Sequence, residues 1–546
     1  MRQLFSVICV LLSVLTLGSA SANAAVGPDP TFGDRGVATI STRSELEPFV
    51  TLDVLADGNK VVQINQRDTR GVSRYLANGQ PDASFGGDGI VDVTIDGYGK
   101  FATIPEAGVL DDSRRVVVGG SVQVSSPDGA TTQDVLVMLQ RFNSDGTRDA
   151  SFGSEGVVTQ NISPPPWIGE TITGVDVDSQ GRILVTGSRF VENVVEPGEL
   201  TYQLPRQGFV ARYLDDGSLD TTFRENGITF VSVDVGTEPT AIQLDDQGRS
   251  VVAVTGLHSD GEVVQPYVMR MTDSGELDEN FGIGGKVLAG PTEARASDLA
   301  LADGSILVTG QEAPGAYVSR LTASGHMDES FGSDGTVNVS FDAEFRGDAY
   351  GSTVDVTVTD AGQVLVAGSV QNRSGNRVAI QGFSPDGSVA SGMGANGVLQ
   401  SPAERDSLSS NGLMIDKRSR IVVGATRAAF FGDSTFNSSA IRFTSLCAGR
   451  AVTLMGTAGR DRIKGTAGRD VVSAGSGDDT IRTFGSSDVV CGGNGKDRMV
   501  LGRGNDRGFG QANADTILGG SGRDRLFGGL GKDRLFGGLN FDIERS

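Results

Sequence analysis

Short runs of alternating apolar and polar residues fill most of this chain, and the same runs keep returning. LDDSRRVVVGGS from Leu110, VDSQGRILVTGS from Val177 and VTDAGQVLVAGS from Val358 each set a Val/Ile/Leu block behind a polar turn. β-Branched residues in short blocks predict strands with one buried face. The Asp-Gly and Asn-Gly pairs between them supply the positive φ that tight turns need. Helix formers are concentrated nowhere, so the chain is expected to be all-β.

Three phrases repeat in register. The turn-and-strand phrase also occurs from Leu55, Leu244, Leu301 and Ile415, giving seven copies. A second phrase is an Arg-aromatic or Arg-Leu strand running into a turn, as in SRYLANG, QRFNSDG, ARYLDDG, MRMTDSG, SRLTASG, QGFSPDG and IRFTSLC. The third is a Phe-Gly phrase: PDASFGGDG from Pro81, RDASFGSEG from Arg148, LDTTFRENG from Leu219, LDENFGIGG from Leu277 and MDESFGSDG from Met327. A worn copy, VASGMGANG, begins at Val389. Seven units between about residues 25 and 446 leave roughly sixty residues each, enough for a four-stranded blade. The seventh unit lacks its Phe-Gly phrase, and a spare copy, PDPTFGDRG, stands at Pro28. A closed ring explains both facts, because the N-terminal strand then completes the last blade and no sheet edge stays open. The fold predicted for residues 25–446 is a seven-bladed β-propeller. These phrases resemble the delta-60 repeat of bacterial exported proteins, a family known as a repeat and not as an activity.

From Gly456 the pattern changes to ten nonapeptides without a gap, from GTAGRDRIK to GGLNFDIER. The sixth position is always aspartate, and the eighth is apolar except at Gly508 and Glu544. Glycines permit a tight turn with inward carbonyls, and carboxylates add the hard oxygens that calcium prefers. Two nonapeptides per coil would stack aspartates eighteen apart on each side. The pattern resembles the RTX, or haemolysin-type, parallel β-roll. The resemblance implies a C-terminal parallel β-roll over residues 447–546, with calcium as its cofactor. The best candidate ligands keep glycine at the fourth position: Asp461, Asp470, Asp479, Asp497, Asp506, Asp524 and Asp533, with Asp478 beside Asp479.

Charge complicates that expectation. Residues 456–545 hold 12 acids and 14 bases, a net of +2, so the rest of the chain carries −24 of the total −22. Arginines at the seventh position, Arg462, Arg498, Arg507, Arg525 and Arg534, are placed to pair with the aspartates. A metal-free roll held by turns, apolar stacking and exposed ion pairs is therefore the competing reading.

The N-terminus reads as an export signal: Arg2, an apolar run over residues 5–17, and Ala22-Asn23-Ala24 before a cut after Ala24. The run is too short for a membrane helix, and no later stretch is long enough. The protein is expected to be secreted, with no transmembrane segment, and monomeric. Removal of residues 1–24 leaves Cys447 and Cys491, expected to form one disulfide in an oxidising compartment. That bond would staple the first coils of the roll. Net charge argues against nucleic acid as a partner.

Catalysis finds little footing. The two histidines, His258 and His326, lie in turn sequences. The pairs Asp111-Asp112, Asp215-Asp216 and Asp245-Asp246 sit where turns want aspartate for backbone reasons. Trp167, the one tryptophan, follows three prolines and is expected in an inter-strand loop. The reading is a non-catalytic extracellular binding, scaffold or adhesion protein whose partner is an unknown extracellular protein or polysaccharide. The alternative is a propeller hydrolase or lyase acting on polysaccharide, which needs carboxylates converging in the central channel with an arginine or histidine.

Overall fold

The structure is a computed structural model. It describes residues 25–545 except 30, 35–36, 41–49, 58–59, 67–70, 99–102, 126–131, 163–166, 192–205, 225, 234–235, 258–263, 313–314, 342–354, 360–361, 373–374, 391–392, 394–396, 402–406, 417–419, 429–435, 449, 456–459 and 540–541. The export-signal expectation and His258 lie outside the described residues. Strands and turns account for everything described, with no helix among them. The chain divides into two compact units, Val26–Ser445 and Leu446–Ser546.

The first unit is a seven-bladed propeller. Six blades are four-stranded antiparallel sheets whose strands follow chain order. One is Thr103–Leu110, Val116–Ser125, Thr132–Phe142 and Val157–Gln160; the next is Trp167–Val177, Ile183–Val191, Arg206–Tyr213 and Ile228–Val231. Trp167 thus opens an innermost strand rather than lying in a loop. The innermost strands pack on one another around the ring, and Ser407–Ile415 of the last blade meets Val50–Asp57 of the first. Closure is made as the leftover phrase predicts. Val37–Ile40 pairs antiparallel with Phe436–Cys447, placing Val37 opposite Ile441 and Ile40 opposite Ser438.

The recurring phrases meet in one clasp in every blade but the sixth. The arginine of the Arg-aromatic strand bonds the aspartate eight residues on and lies over the phenylalanine three residues further. Arg141 donates from Nε to Asp149 Oδ2 at 2.8 Å, with its guanidinium 4.6 Å from the Phe152 ring centre. Arg74–Asp82–Phe85, Arg212–Asp220–Phe223, Arg270–Asp278–Phe281 and Arg320–Asp328–Phe331 repeat this. In the last blade Arg442 reaches Asp29 and Phe32 across the closure. Each clasp also holds the next blade. Arg74 donates to the Ser144 carbonyl and Arg212 to the Asp273 carbonyl. The backbone adds Gly86 N–H to the Asp145 carbonyl at 2.9 Å. That approach explains Gly146 in the same turn: its φ is 86°, and a Cβ there would sit 2.7 Å from Gly86 N. The sixth blade has lost all three members together, with Gly382, Ala390 and Met393 in their places. Met393 there fills the space over Gly382 that an arginine side chain would need.

Inner-strand carboxylates are staples between blades. Glu106 accepts the Ile172 N–H at 2.8 Å, Asp176 that of Leu244 at 2.7 Å, Asp298 that of Val356 at 2.9 Å and Asp355 that of Gly412 at 3.0 Å. Gln243 does the same with Leu301 N–H and also donates to the Leu299 carbonyl. Burial pushes the Glu106 carboxyl up to about 7, and Asp176 and Asp298 to about 6, against the N–H bonds that favour their ionised forms. Their folded-state values lie above the unfolded ones, so they stabilise most below about pH 4 and lose that contribution as pH rises through 6 to 7. The propeller is expected to melt at a lower temperature at pH 8 than at pH 5. Glu106→Gln keeps an acceptor for Ile172 and should raise the pH 8 melting temperature while flattening the pH dependence, read by calorimetry.

The second unit is a parallel β-roll. Its strands alternate between a six-stranded sheet and a five-stranded sheet, each strand pairing in register with the one eighteen residues on. The eighth-position residues face inward: Val472, Ile481, Val490, Met499, Ile517 and Leu526 form its core. Gly508 breaks that row, and Leu501 from the previous strand reaches the space a side chain there would take. Cys447 and Cys491 are bonded, with Cα atoms 5.8 Å apart. Both are buried beside Val471 and Val489, so the segment around Cys447 covers the start of the six-stranded sheet. The bond closes a loop with a sequence separation of 44. Cys447→Ser with Cys491→Ser is expected to cost about 4 kcal/mol by the loop-entropy relation, measured as a fall in the roll's unfolding temperature.

Candidate metal centre

The sixth-position aspartates form two ladders. On one side Asp461 N–H donates to Asp479 Oδ1, Asp479 to Asp497, Asp497 to Asp515 and Asp515 to Asp533, all at 2.8–2.9 Å. On the other, Asp470 donates to Asp488, Asp488 to Asp506, Asp506 to Asp524 and Asp524 to Asp542. Each carboxylate thus spends Oδ1 on the coil before it. The second oxygen is different. Oδ2 of Asp479, Asp488, Asp497, Asp506, Asp515, Asp524 and Asp533 is buried and has no hydrogen-bond partner. A buried carboxylate oxygen without a partner is costly, so protonation or a cation is favoured there. Burial accordingly pushes Asp497 and Asp506 up to about 6 and Asp515 to about 7, with the neighbouring carboxylates of the same ladder adding to the shift.

The first position of the nonapeptide decides what else faces Oδ2. A methyl group on Gly492 would fall against Asp497 Oδ2 and 2.9 Å from the carbonyl oxygen of Gly510, one coil on. Gly510 stands likewise between Asp515 Oδ2 and the Gly528 carbonyl, and Gly519 between Asp524 Oδ2 and the Gly537 carbonyl. These three turns present a carboxylate oxygen and a carbonyl oxygen to one small space. At Asp479, Asp488 and Asp506 the first position is Ala474, Thr483 and Leu501, all buried, so a side chain takes part of that space.

The sequence candidates therefore separate. Asp497, Asp524 and Asp533 keep glycine at the first position and an unpartnered Oδ2. Asp479 and Asp506 keep the oxygen but not the glycine. Asp470 closes its own turn, its Oδ2 accepting the Thr466 N–H at 2.8 Å. Asp461 heads its ladder as donor, partly buried. Asp478 is exposed and accepts the Lys496 N–H at 2.8 Å, apart from the buried ladder. The sequence does not single out Asp488 and Asp515, because Ser486 and Asn513 replace the fourth-position glycine. Both replacements nonetheless hold positive φ, 73° and 77°, so the turns survive and these aspartates join the ladders. The invariance of the sixth position was the better signal.

Among the described residues, none of Arg462, Arg498, Arg507, Arg525 and Arg534 makes an ion pair with an aspartate. The seventh position points outward while the sixth turns its carboxylate under the coil, so the two charges face opposite sides of the same backbone. No three His, Cys, Asp or Glu side chains converge anywhere among the described residues. At Gly492, Gly510 and Gly519 the second oxygen facing the space is a backbone carbonyl.

Residues 453–483, 485–507 and 509–544 match the RTX calcium-binding nonapeptide repeat. The tail is an RTX array. Residues 198–223, which contain Arg212, Asp220 and Phe223 of one clasp, match a domain of unknown function, the DUF5122 beta-propeller. No curated protein matches the chain. Similar solved structures include a protein of unknown function from Dyadobacter fermentans, 11% identical, with a TM-score of 0.37 over 74% of this chain and 98% of that one. The polysaccharide lyase Uly1 is 8% identical, with a TM-score of 0.41 over 78% and 98%. An α-L-arabinofuranosidase from Fusarium graminearum is 10% identical, with a TM-score of 0.31 over 64% and 95%.

Of the carboxylate pairs outside the RTX array, Asp111, Asp215, Asp216 and Asp245 are engaged structurally, and Asp112 and Asp246 are exposed. Asp111 holds Arg115, Asp245 holds Arg249, and Asp215 accepts from both Arg141 and Arg115. Asp216 caps its turn through Ser218. His326 is exposed in a turn, its Nδ1 3.0 Å from Ser324 Oγ. Among the described residues, no helix is long and apolar enough to cross a membrane.

Proposed function

We propose that this is a secreted calcium-binding protein whose propeller is a non-catalytic binding or scaffold platform, adhesion included. The observation that carries calcium is the column of desolvated, unpartnered Asp Oδ2 atoms facing carbonyl oxygens one coil on. Such all-oxygen sets suit calcium, and extracellular modules of this kind bind it near millimolar. Asp497, Asp515 and Asp524 would hold the ion with the carbonyls of Gly510, Gly528 and Gly537. Bound calcium would supply the positive charge that the outward arginines do not bring to these carboxylates.

The non-catalytic reading is supported by how the propeller spends its acids. Glu106, Asp176, Asp298 and Asp355 each hold a backbone N–H of the next blade, and the turn aspartates hold arginines. Export is supported by the apolar run over residues 5–17 and the Ala22-Asn23-Ala24 triplet.

Equilibrium dialysis of the full-length protein, with calorimetry in calcium and in chelator, tests the calcium reading. The expected result is several bound ions and a shift confined to one unfolding transition. Absence of binding at millimolar calcium would remove it. Release of new reducing or unsaturated ends from a polysaccharide panel would reinstate the hydrolase or lyase alternative.

A further inference from the structure

The strands of the five-stranded sheet of the RTX array carry exposed cations and no acid. Its strands are Arg462–Lys464, Thr480–Arg482, Arg498–Arg503, Thr516–Ser521 and Arg534–Leu539. They carry Arg462, Lys464, Arg482, Arg498, Arg503 and Arg534, and no aspartate or glutamate. All six cations are exposed. None makes an ion pair among the described residues. The six-stranded sheet differs, because its first strands are covered by the segment around Cys447.

Register turns this charge into a ruler. Arg462 lies opposite Thr480, Thr480 opposite Arg498, Arg498 opposite Thr516 and Thr516 opposite Arg534. Neighbouring strands are about 4.8 Å apart, so the three arginines repeat about every 10 Å with a threonine between. A rigid row of cations with hydroxyls at half the spacing fits a linear polymer whose anionic groups recur at that interval. Two sugar rings span a comparable length. Duplex DNA offers charge far more densely, about one per 1.7 Å of axis. Single-stranded nucleic acid binding relies on a series of stacking aromatics, and among the described residues this face holds two that are already covered by its own cations, Phe484 under Lys464 and Arg482 and Phe536 under Arg534.

We propose that this face binds a linear acidic polysaccharide carrying about one anionic group per disaccharide, with Arg462, Arg498 and Arg534 reading the charges and Thr480 and Thr516 the hydroxyls between them. The proposal rests on the reading of the protein as an extracellular binder, and names its partner class. A chain with a net charge of −22 would otherwise repel such a polymer, which makes a localised cationic row the place to meet it.

The test uses full-length protein in calcium buffer and hyaluronate, with one carboxylate per disaccharide, as the probe. Neutral dextran, oligo-dT and anionic phospholipid vesicles serve as comparisons. Two variants are made, each removing three positive charges: Arg462→Thr/Arg498→Thr/Arg534→Thr, and Arg507→Thr/Arg525→Thr/Arg545→Thr on the other sheet. Threonine suits an exposed strand, and circular dichroism confirms that both variants fold. The expected result is salt-sensitive hyaluronate binding that falls about tenfold or more in the first variant and about twofold or less in the second. Equal losses in both would mean net charge alone, and would overturn the proposal. So would equal binding of dextran, or binding of oligo-dT or vesicles in place of hyaluronate. Calcium uptake by the same preparation separates failure here from failure of the calcium reading.

Discussion

Arg442→Ala is expected to destabilise the propeller by about 3–5 kcal/mol, the usual cost of breaking a buried ion pair by removing one partner. The Arg442 side chain is 0% exposed and its aspartate 1%. Removing it leaves Asp29 with only Arg420 at 3.8 Å and the hydrogen bonds from Thr31, uncovers the Phe32 ring, and cuts the 2.8 Å bond to the Ala77 carbonyl of the first blade. These contacts join the two ends of the ring, so the loss falls on closure itself. Arg320→Ala makes the comparison, because its pair with Asp328 is 14% and 21% exposed. A loss of about 1 kcal/mol is expected there, solvent screening having weakened the pair. The sixth blade suggests a rescue. It does without the clasp by using Gly382, Ala390 and Met393, and replacing a buried pair by packed apolar groups is often neutral. Arg442→Gly with Asp29→Ala and Phe32→Met should recover most of what Arg442→Ala loses. Denaturant unfolding of the three proteins decides it. A triple variant less stable than the single one would mean that the sixth blade depends on compensation elsewhere.

Calcium and protons are expected to act in opposite directions on the RTX array. In chelator, the raised values of Asp497, Asp506 and Asp515 mean that the folded array binds protons more tightly than the unfolded chain. That stabilisation is complete below about pH 4 and disappears as pH rises through 6 to 7. The calcium-free array should therefore melt at a higher temperature at pH 5 than at pH 8. In calcium the order should reverse, because the ion needs ionised carboxylates. Each site filled at one hundred times its Kd adds about 2.7 kcal/mol. Asp515→Asn separates the two effects. At pH 8 it should raise the melting temperature in chelator, by removing a buried charge, and lower it in calcium, by removing a ligand. An unchanged melting temperature in calcium would show that Asp515 is not a ligand.

Much of this protein was legible as text because its repeats write the same contact many times. The missing seventh Phe-Gly phrase and the spare copy at Pro28 predicted closure, since a ring needs each blade complete. The ten sixth-position aspartates predicted two ladders, since a coil of eighteen residues stacks them. Local chemistry sufficed in both cases: turn glycines, alternating strands and a fixed period determine register without reference to distant residues.

Direction was decided only in three dimensions. The arginines beside the aspartates looked like their counterions, yet adjacent positions on a coil face opposite ways, so the carboxylates stay buried and the cations line an outer face. Asp488 and Asp515 looked damaged without a fourth-position glycine, yet Ser486 and Asn513 adopt the left-handed backbone because the stacked coils on either side hold them there. Arg442 and Asp29 are 413 residues apart; the repeats pair their two phrases, but that the guanidinium is clasped between the carboxylate and the Phe32 ring is seen only in the folded chain. Sequence by itself determined the periods, the turns and the number of units. Which side of each strand is buried at the seams, and what the charges therefore meet, came from packing, because that depends on neighbours that only the folded chain brings together.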